Sequence, residues 1–144
     1  MRIHLENTPN TIRELVASIE QNPASFEDCK YIHIAAMRDV PQRLYAALLR
    51  ALREAHSDLD CEAFLCPDND VFILGRDLGE AQLAALASEL MSAISLHDQT
   101  LPGTHMYDLS TNRKEACQSL LNHSVQHMPE FRMRPRLDLA GMAS

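Results

Sequence analysis

Two short apolar runs that flank a polar tetrapeptide constrain the fold of this chain more than any other feature. The runs CEAFLC and VFILG are rich in residues that favour β-strands, and Pro67-Asp68-Asn69-Asp70 lies between them. Proline, aspartate and asparagine are typical of tight turns because they fix or tolerate the backbone angles that turns require. The stretch therefore predicts a β-hairpin, which places two antiparallel strands side by side in the sheet.

The segments on either side of the hairpin predict further strands and helices. YIHIAAM at 31–37 is short and nearly all apolar, as in a buried central strand, and THMYDL at 104–109 predicts a weaker strand. Apolar residues spaced three and four positions apart predict four helices. Local signals mark the start of each helix: a capping box from Thr11 to Glu14, a cap at Asp39, Gly79 before the third helix, and Ser110 or Thr111 before the last.

The predicted order is a leading helix, then βαββαβ, then a last helix. Because strand–helix–strand connections are right-handed, both main helices are expected on one face of the sheet. We predict an α+β fold with a ferredoxin-like βαββαβ sheet plus an N-terminal and a C-terminal helix. Its core should include Leu48, Ile73, Leu86 and Leu90. A flavodoxin-like sheet is the alternative, but it needs helices on both faces, and the direct hairpin counts against it.

The length of 144 residues predicts a single domain over 1–144. Within it, 1–28 would form the leading helix and a linker, 29–128 the βαββαβ core with the last helix, and 129–144 a tail or exit linker. The chain ends abruptly in RLDLAGMAS, so we expect it to be the front part of a longer protein.

Charge and apolar pattern exclude several classes of function. The formal net charge of −7 disfavours a nucleic-acid partner. The sequence has no run of 18 apolar residues that would predict a membrane span, and its start, MRIHLENTPN, lacks the apolar core of a signal peptide. We therefore expect a cytoplasmic protein without membrane partner or cofactor. Its four cysteines are predicted to be free thiols, namely Cys29, Cys61, Cys66 and Cys117.

The stretch CPDNDVFILGRDLGEAQLAALASELMSAI resembles the hairpin and following helix of the diguanylate cyclase (GGDEF) domains. In that family the turn carries Gly-Gly-Asp-Glu-Phe, and an apolar strand and an Ala-rich helix follow it. Aligned on the strand, Asn69 falls on the family's Asp, Asp70 on its Glu, Val71 on its Phe and Asp68 on its second Gly. The resemblance covers roughly 31–110, with YIHIAAMRD as the first strand, and depends on element order and hydrophobic pattern.

The chain departs from the family at the positions that carry its chemistry. The family ends its first strand with an acidic metal ligand, whereas this chain has Ala35, Ala36 and Met37, which offer no hard oxygen for Mg²⁺. Pro67 and Asp68 replace the two glycines that let the family's backbone approach the triphosphate. A proline removes an N–H donor, and an aspartate repels phosphate. The family's polar guanine-binding segment is also missing.

These departures predict a non-catalytic regulatory or protein-interaction domain in bacterial-type signal transduction, with no catalytic residues and no metal. One alternative is a nucleotide-binding or nucleotide-cyclising enzyme domain with an altered site. A second is a structural dimerisation domain without ligand. The candidate ligand-binding residues are Asp68, Asn69 and Asp70, which could together hold one Ca²⁺ or could simply form a polar turn, and Asp39, which is also explained as a helix cap.

Histidines and one cysteine supply further candidates. His123 and His127 lie four residues apart on one helical face, a spacing that can chelate Zn²⁺ or Ni²⁺, although two ligands do not make a site and an ordinary surface helix also explains them. Cys117 could be a nucleophile beside either histidine, or a structural thiol. His33 lies inside the predicted first strand, where a hydrogen-bonded histidine on the sheet face is expected.

The leading helix carries an apolar stripe that must be buried somewhere. The stripe consists of Ile12, Leu15, Val16 and Ile19. It could dock on the sheet of its own chain, or it could form an interface with a second subunit. We predict a homodimer, in which these four residues are the interface candidates. We also expect the domain to bind a protein partner or a further domain of a longer chain.

Overall fold

The computed structural model of the protein describes residues 1–35, 40–95 and 103–126. Within them lie five strands and four α-helices, in an α+β fold: β1 (Arg2–His4), α1 (Thr8–Gln21), β2 (Cys29–Ile34), α2 (Gln42–Ala55), β3 (Cys61–Leu65), β4 (Val71–Arg76), α3 (Glu80–Ser95), β5 (Thr104–Asp108) and α4 (Arg113–Gln126). A short 3₁₀ helix at Pro23–Phe26 joins α1 to β2. No helix in these ranges has the length and apolar character that crossing a membrane demands.

The strands form one mixed sheet in the order β1-β3-β4-β2-β5. The predicted hairpin is present as β3 and β4, and β2 pairs antiparallel with both β4 and β5. Strand β1 was not predicted. It adds to the outer edge of β3 in parallel orientation, with Ile3 opposite Ala63. A strand of three residues is too short to show an alternating pattern, which is why the sequence did not reveal it.

Helices α2 and α3 pack on the same face of the sheet. Of the predicted core residues, Ile73, Leu86 and Leu90 are buried there, whereas Leu48 is only half-buried. The inner face of α2 instead consists of Tyr45, Leu49 and Leu52. Most positions from 44 to 52 are apolar, so the sequence is compatible with more than one buried stripe. Only the packing against the sheet selects one.

Helices α1 and α4 cover the opposite face of the sheet. Ile12, Val16 and Ile19 are fully buried against β-strand residues and α4, and Leu15 is partly buried. The apolar stripe of the leading helix is therefore occupied within its own chain, which is the first of the two predicted alternatives. The sheet thus has two helices on each face, although it is not the parallel sheet of a flavodoxin-like fold.

Helix α1 begins four residues earlier than the capping box predicted, with Asn7 in place of Thr11 at the N-cap. Asn7 precedes the first turn in the left-handed region at φ 57°, and a proline, Pro9, lies in that turn. The hydroxyl of Thr8 donates a hydrogen bond to the carbonyl oxygen of Leu65 at 2.7 Å, in a buried position. This bond ties the start of α1 to the end of β3, so tertiary contact fixes the helix start in place of the local Thr11 cap.

Candidate functional site

The hairpin turn between β3 and β4 is closed by bonds among its own residues. The amide of Asn69 donates to the carbonyl oxygen of Cys66, and the amide of Cys66 donates to the carbonyl oxygen of Asp70, both at 2.9 Å. Asp68 Oδ1 accepts a further bond from the amide of Asp70 at 3.1 Å. Asn69 has φ 76°, the left-handed conformation that asparagine tolerates better than most residues. The acidic tetrapeptide therefore forms a compact, self-bonded turn.

Two side-chain amides attach this turn to the start of α2. Asn69 Nδ2 donates to the carbonyl oxygen of Val40, and Gln42 Nε2 donates to the carbonyl oxygen of Cys66, each at 3.0 Å. Asn69 Oδ1 is buried and accepts no hydrogen bond from any residue that the structure describes. A buried carbonyl oxygen without a donor costs free energy, and this is the only buried side-chain polar atom of the described residues that lacks a partner.

The turn is also attached to β2, an interior strand of the sheet. His33 Nε2 lies 2.8 Å from Asp70 Oδ2, and the two side chains are 24% and 13% exposed. The imidazole stacks on Phe72, with ring centroids 4.6 Å apart and an interplanar angle of 13°. We call His33, Gln42, Asn69 and Asp70 the turn cluster. The cluster joins β2, α2 and the hairpin at one end of the sheet.

The chemistry of the turn cluster is limited by its composition. A His–Asp pair resembles part of a nucleophilic triad, but the nearest candidate nucleophile of the turn, Cys66, is buried. Burial raises the pKa of the Cys66 thiol far above its ordinary value, with Asp68 and Asp70 adding to the effect. A protonated thiol is a poor nucleophile. Among the described residues, no group of three or more His, Cys, Asp or Glu side chains could hold a metal ion.

The remaining cysteines are buried free thiols as well. Cys61 belongs to the core under α2 and α3, while Cys66 belongs to the core under α1 and α4. The two therefore lie on opposite faces of the sheet. The pKa of Cys117 is raised by burial, and Cys117 lines a surface cleft together with Glu20 and Arg113. A thiol held in its protonated form fits a structural role.

The other candidates from the sequence are only partly covered by the structure. Asp39 lies outside the described residues, and α2 begins at Gln42 with Pro41 at its N-cap and no side-chain cap. His123 lies near the end of α4, at a position where the structure describes the backbone only. His127 lies outside the described residues.

The pairing of His33 with Asp70 is the feature of this site that sequence reasoning missed. The residues are 37 positions apart, and no local pattern joins them. The strand register would have indicated it, because β2 and β4 pair antiparallel with His33 opposite Phe72 and Ile34 opposite Val71. A turn residue just before Val71 then falls beside the end of β2.

Comparisons of the chain with models of protein families, with curated proteins and with solved structures found no match.

Proposed function

We propose that this chain is a non-catalytic regulatory or protein-interaction domain of bacterial-type signal transduction, located in the cytoplasm, with the core of a degenerate GGDEF domain. The strand order β3-β4-β2-β5, with antiparallel pairing between all neighbours, supports a ferredoxin-like core. Helices α2 and α3 on one face fit the same architecture. In this proposal β1, α1 and α4 are additions to that core.

The observation that carries the non-catalytic role is the bonding of the turn. The resemblance to diguanylate cyclases implies a turn whose backbone is open to a triphosphate and whose acidic residues serve a metal. Here the carboxylate of Asp70 is bound to His33, and the side-chain amide of Asn69 donates to the carbonyl oxygen of Val40. Asp68 faces its own backbone at Asp70. The polar groups of the turn hold the fold together, so the proposal assigns them a structural role.

A second candidate function, an altered nucleotide site, is favoured by one observation. Asn69 Oδ1 is buried without a donor among the described residues, and an exocyclic amine of a purine is a donor of suitable type that reaches this atom only if the turn opens. The competing cost is the negative charge of Asp68 and Asp70 in the same turn, which disfavours a triphosphate.

The decisive experiment incubates the intact chain with GTP and Mg²⁺ and follows both product and melting temperature. We expect no cyclic dinucleotide and no rise in melting temperature, since a bound ligand would raise it. The variants Asp70→Ala and, as the matched turn control, Asp68→Ala are treated in parallel. Cyclic dinucleotide that is made by the intact chain and lost only in Asp70→Ala would refute the non-catalytic role. A thermal shift without product, abolished in Asn69→Ala, would favour the second candidate.

A further inference from the structure

Strand β5 is one edge of the sheet. It pairs with β2 on one side, and no described strand lies on its other side. Its residues are Thr104, His105, Met106, Tyr107 and Asp108. A free edge of this length presents backbone N–H and C=O groups that can pair with another strand.

The hydrogen bonds to β2 show which residues face outward. Leu109 N–H donates to the carbonyl oxygen of Cys29 at 3.0 Å, and the Gly103 carbonyl oxygen accepts from the Ala35 amide at 2.8 Å. In an antiparallel pair the bonded residues alternate, so His105 also directs its backbone groups at β2. The residues between the bonded ones direct theirs outward, namely Thr104, Met106 and Asp108.

Those outward residues are symmetric about Met106, which fits a partner with the same sequence. In a two-fold antiparallel pairing centred on Met106, the Met106 amides and carbonyls of two copies bond to each other. The amide of Asp108 then donates to the Thr104 carbonyl of the second copy. The Asp108 carbonyl is already used, because it accepts the amide of Asn112 at 2.7 Å. The pairing is closed and isologous, so it stops at a dimer.

The side chains of β5 are self-complementary in this register. His105 falls opposite Tyr107 of the second copy at a non-hydrogen-bonded position, where side chains come closest. The two rings already contact each other within one chain at 4.5 Å, and Tyr107 stacks on Tyr31 at 4.7 Å. On the other face, the carboxylate of Asp108 falls opposite the hydroxyl of Thr104.

Charge repulsion does not oppose this register. Asp108 is the only charged residue of β5, and Lys30 partly neutralises it at 3.7 Å. Pairing centred on Met106 keeps the two Asp108 carboxylates apart, at opposite ends of the contact. Two chains of net charge −7 repel each other at long range, so a locally neutral edge is the kind of surface on which they could meet.

We propose that β5 is the interaction surface of this domain and that its partner is a second copy of the chain, joined by two-fold antiparallel pairing centred on Met106. This inference rests on the proposed interaction role and names the partner. It also moves the predicted homodimer interface away from α1, whose apolar stripe is buried within its own chain.

The test measures the mass of the intact chain by light scattering at about 100 µM, where a dimer with a Kd of about 1 µM is nearly complete. We expect a mass twice that of one chain. Met106→Pro removes an outward N–H and leaves the bonds to β2 in place, so it should give a folded monomer. Met106→Ala keeps the backbone groups and is the matched control that should stay dimeric.

A charge-swap pair keeps the test decisive if the proline variant fails to fold. Met106→Lys and Met106→Glu each place like charges at the two-fold axis, so each should be monomeric alone, and an equimolar mixture should recover the dimer. A monomeric intact chain overturns the proposal, because no second copy is then bound at β5. A dimer that survives both charged variants, or a mixture that stays monomeric, overturns it as well. Formation of cyclic dinucleotide would refute the non-catalytic role without changing these masses, so the two failures are distinguishable.

Discussion

The pair formed by His33 and Asp70 should contribute measurably to stability, and a double-mutant cycle can isolate its share. The perturbations are His33→Ala, Asp70→Ala and the double variant. Other contacts of either side chain, such as the stack of His33 on Phe72, cancel in the cycle. The quantity that remains is the coupling free energy of the pair itself.

The structure sets the expected size of this coupling. The two side chains are 2.8 Å apart and mostly buried, at 24% and 13% exposure. Exposed ion pairs contribute about 0–1 kcal/mol, whereas hydrogen bonds to charged groups contribute about 1.5–3 kcal/mol. We expect about 1–2 kcal/mol for His33 and Asp70. The pair His56 and Glu89 is a matched control, since it has a similar distance of 2.9 Å but exposures of 30% and 51%. Its coupling should be about 0–0.5 kcal/mol.

Urea unfolding of the four proteins in each cycle at neutral pH gives the two couplings. Equal m-values across a cycle would show that the substitutions act on stability and leave the denatured state unchanged. If the coupling of His33 with Asp70 is no larger than that of the exposed control, the turn is not held to β2 by this pair. The structural role assigned to the turn cluster would then lose its main support.

Further predictions concern the core, the turn and the buried thiols. Leu86→Ala should lower the free energy of unfolding by about 2–5 kcal/mol. Leu48→Ala removes a half-buried side chain and should lower it by clearly less. Equal losses in urea unfolding would contradict the assigned inner face of α2. Asn69→Ala should be less stable than Asn69→Gly by about 1 kcal/mol, because a backbone φ of 76° strains a residue that has a Cβ atom. A more stable alanine variant would contradict that backbone angle. Burial raises the pKa of the Cys66 thiol above its ordinary 9.0, so the unfolded chain alone loses this proton as pH rises past about 9. This thiol should lower stability there by about 1.4 kcal/mol per pH unit, so the slope in urea unfolding should be shallower for Cys66→Ala by about that amount.

The elements that the sequence predicted are those whose local pattern and tertiary environment agree. Strands β3 and β4 are apolar runs bounded by turn residues, and α3 carries one regular apolar stripe ending at Ile94. The inner face of α2 was misplaced because the helix has more apolar residues than one face can bury. The start of α1 was misplaced because the bond from Thr8 to Leu65 lies outside any local pattern.

The candidate site could be located from the sequence, but its bonding could not. Proline, asparagine and aspartate between two apolar runs identified the turn. The partners of the turn, His33, Val40 and Gln42, lie far from it along the chain. Long-range pairs of this kind depend on strand register and helix position, which one sequence does not specify.

The position of α1 has a consequence for how the chain folds during synthesis. Helix α1 is made before α2, α3 and α4, yet the surface that buries Ile12, Val16 and Ile19 includes Phe64 and residues of α4 such as Leu120. Contacts between such distant segments form slowly, because a long loop must close before they contribute free energy. A short helix of this kind is marginal in water by itself. The earliest of the four described helices therefore completes its packing late, because part of the surface that buries its apolar stripe is supplied by α4.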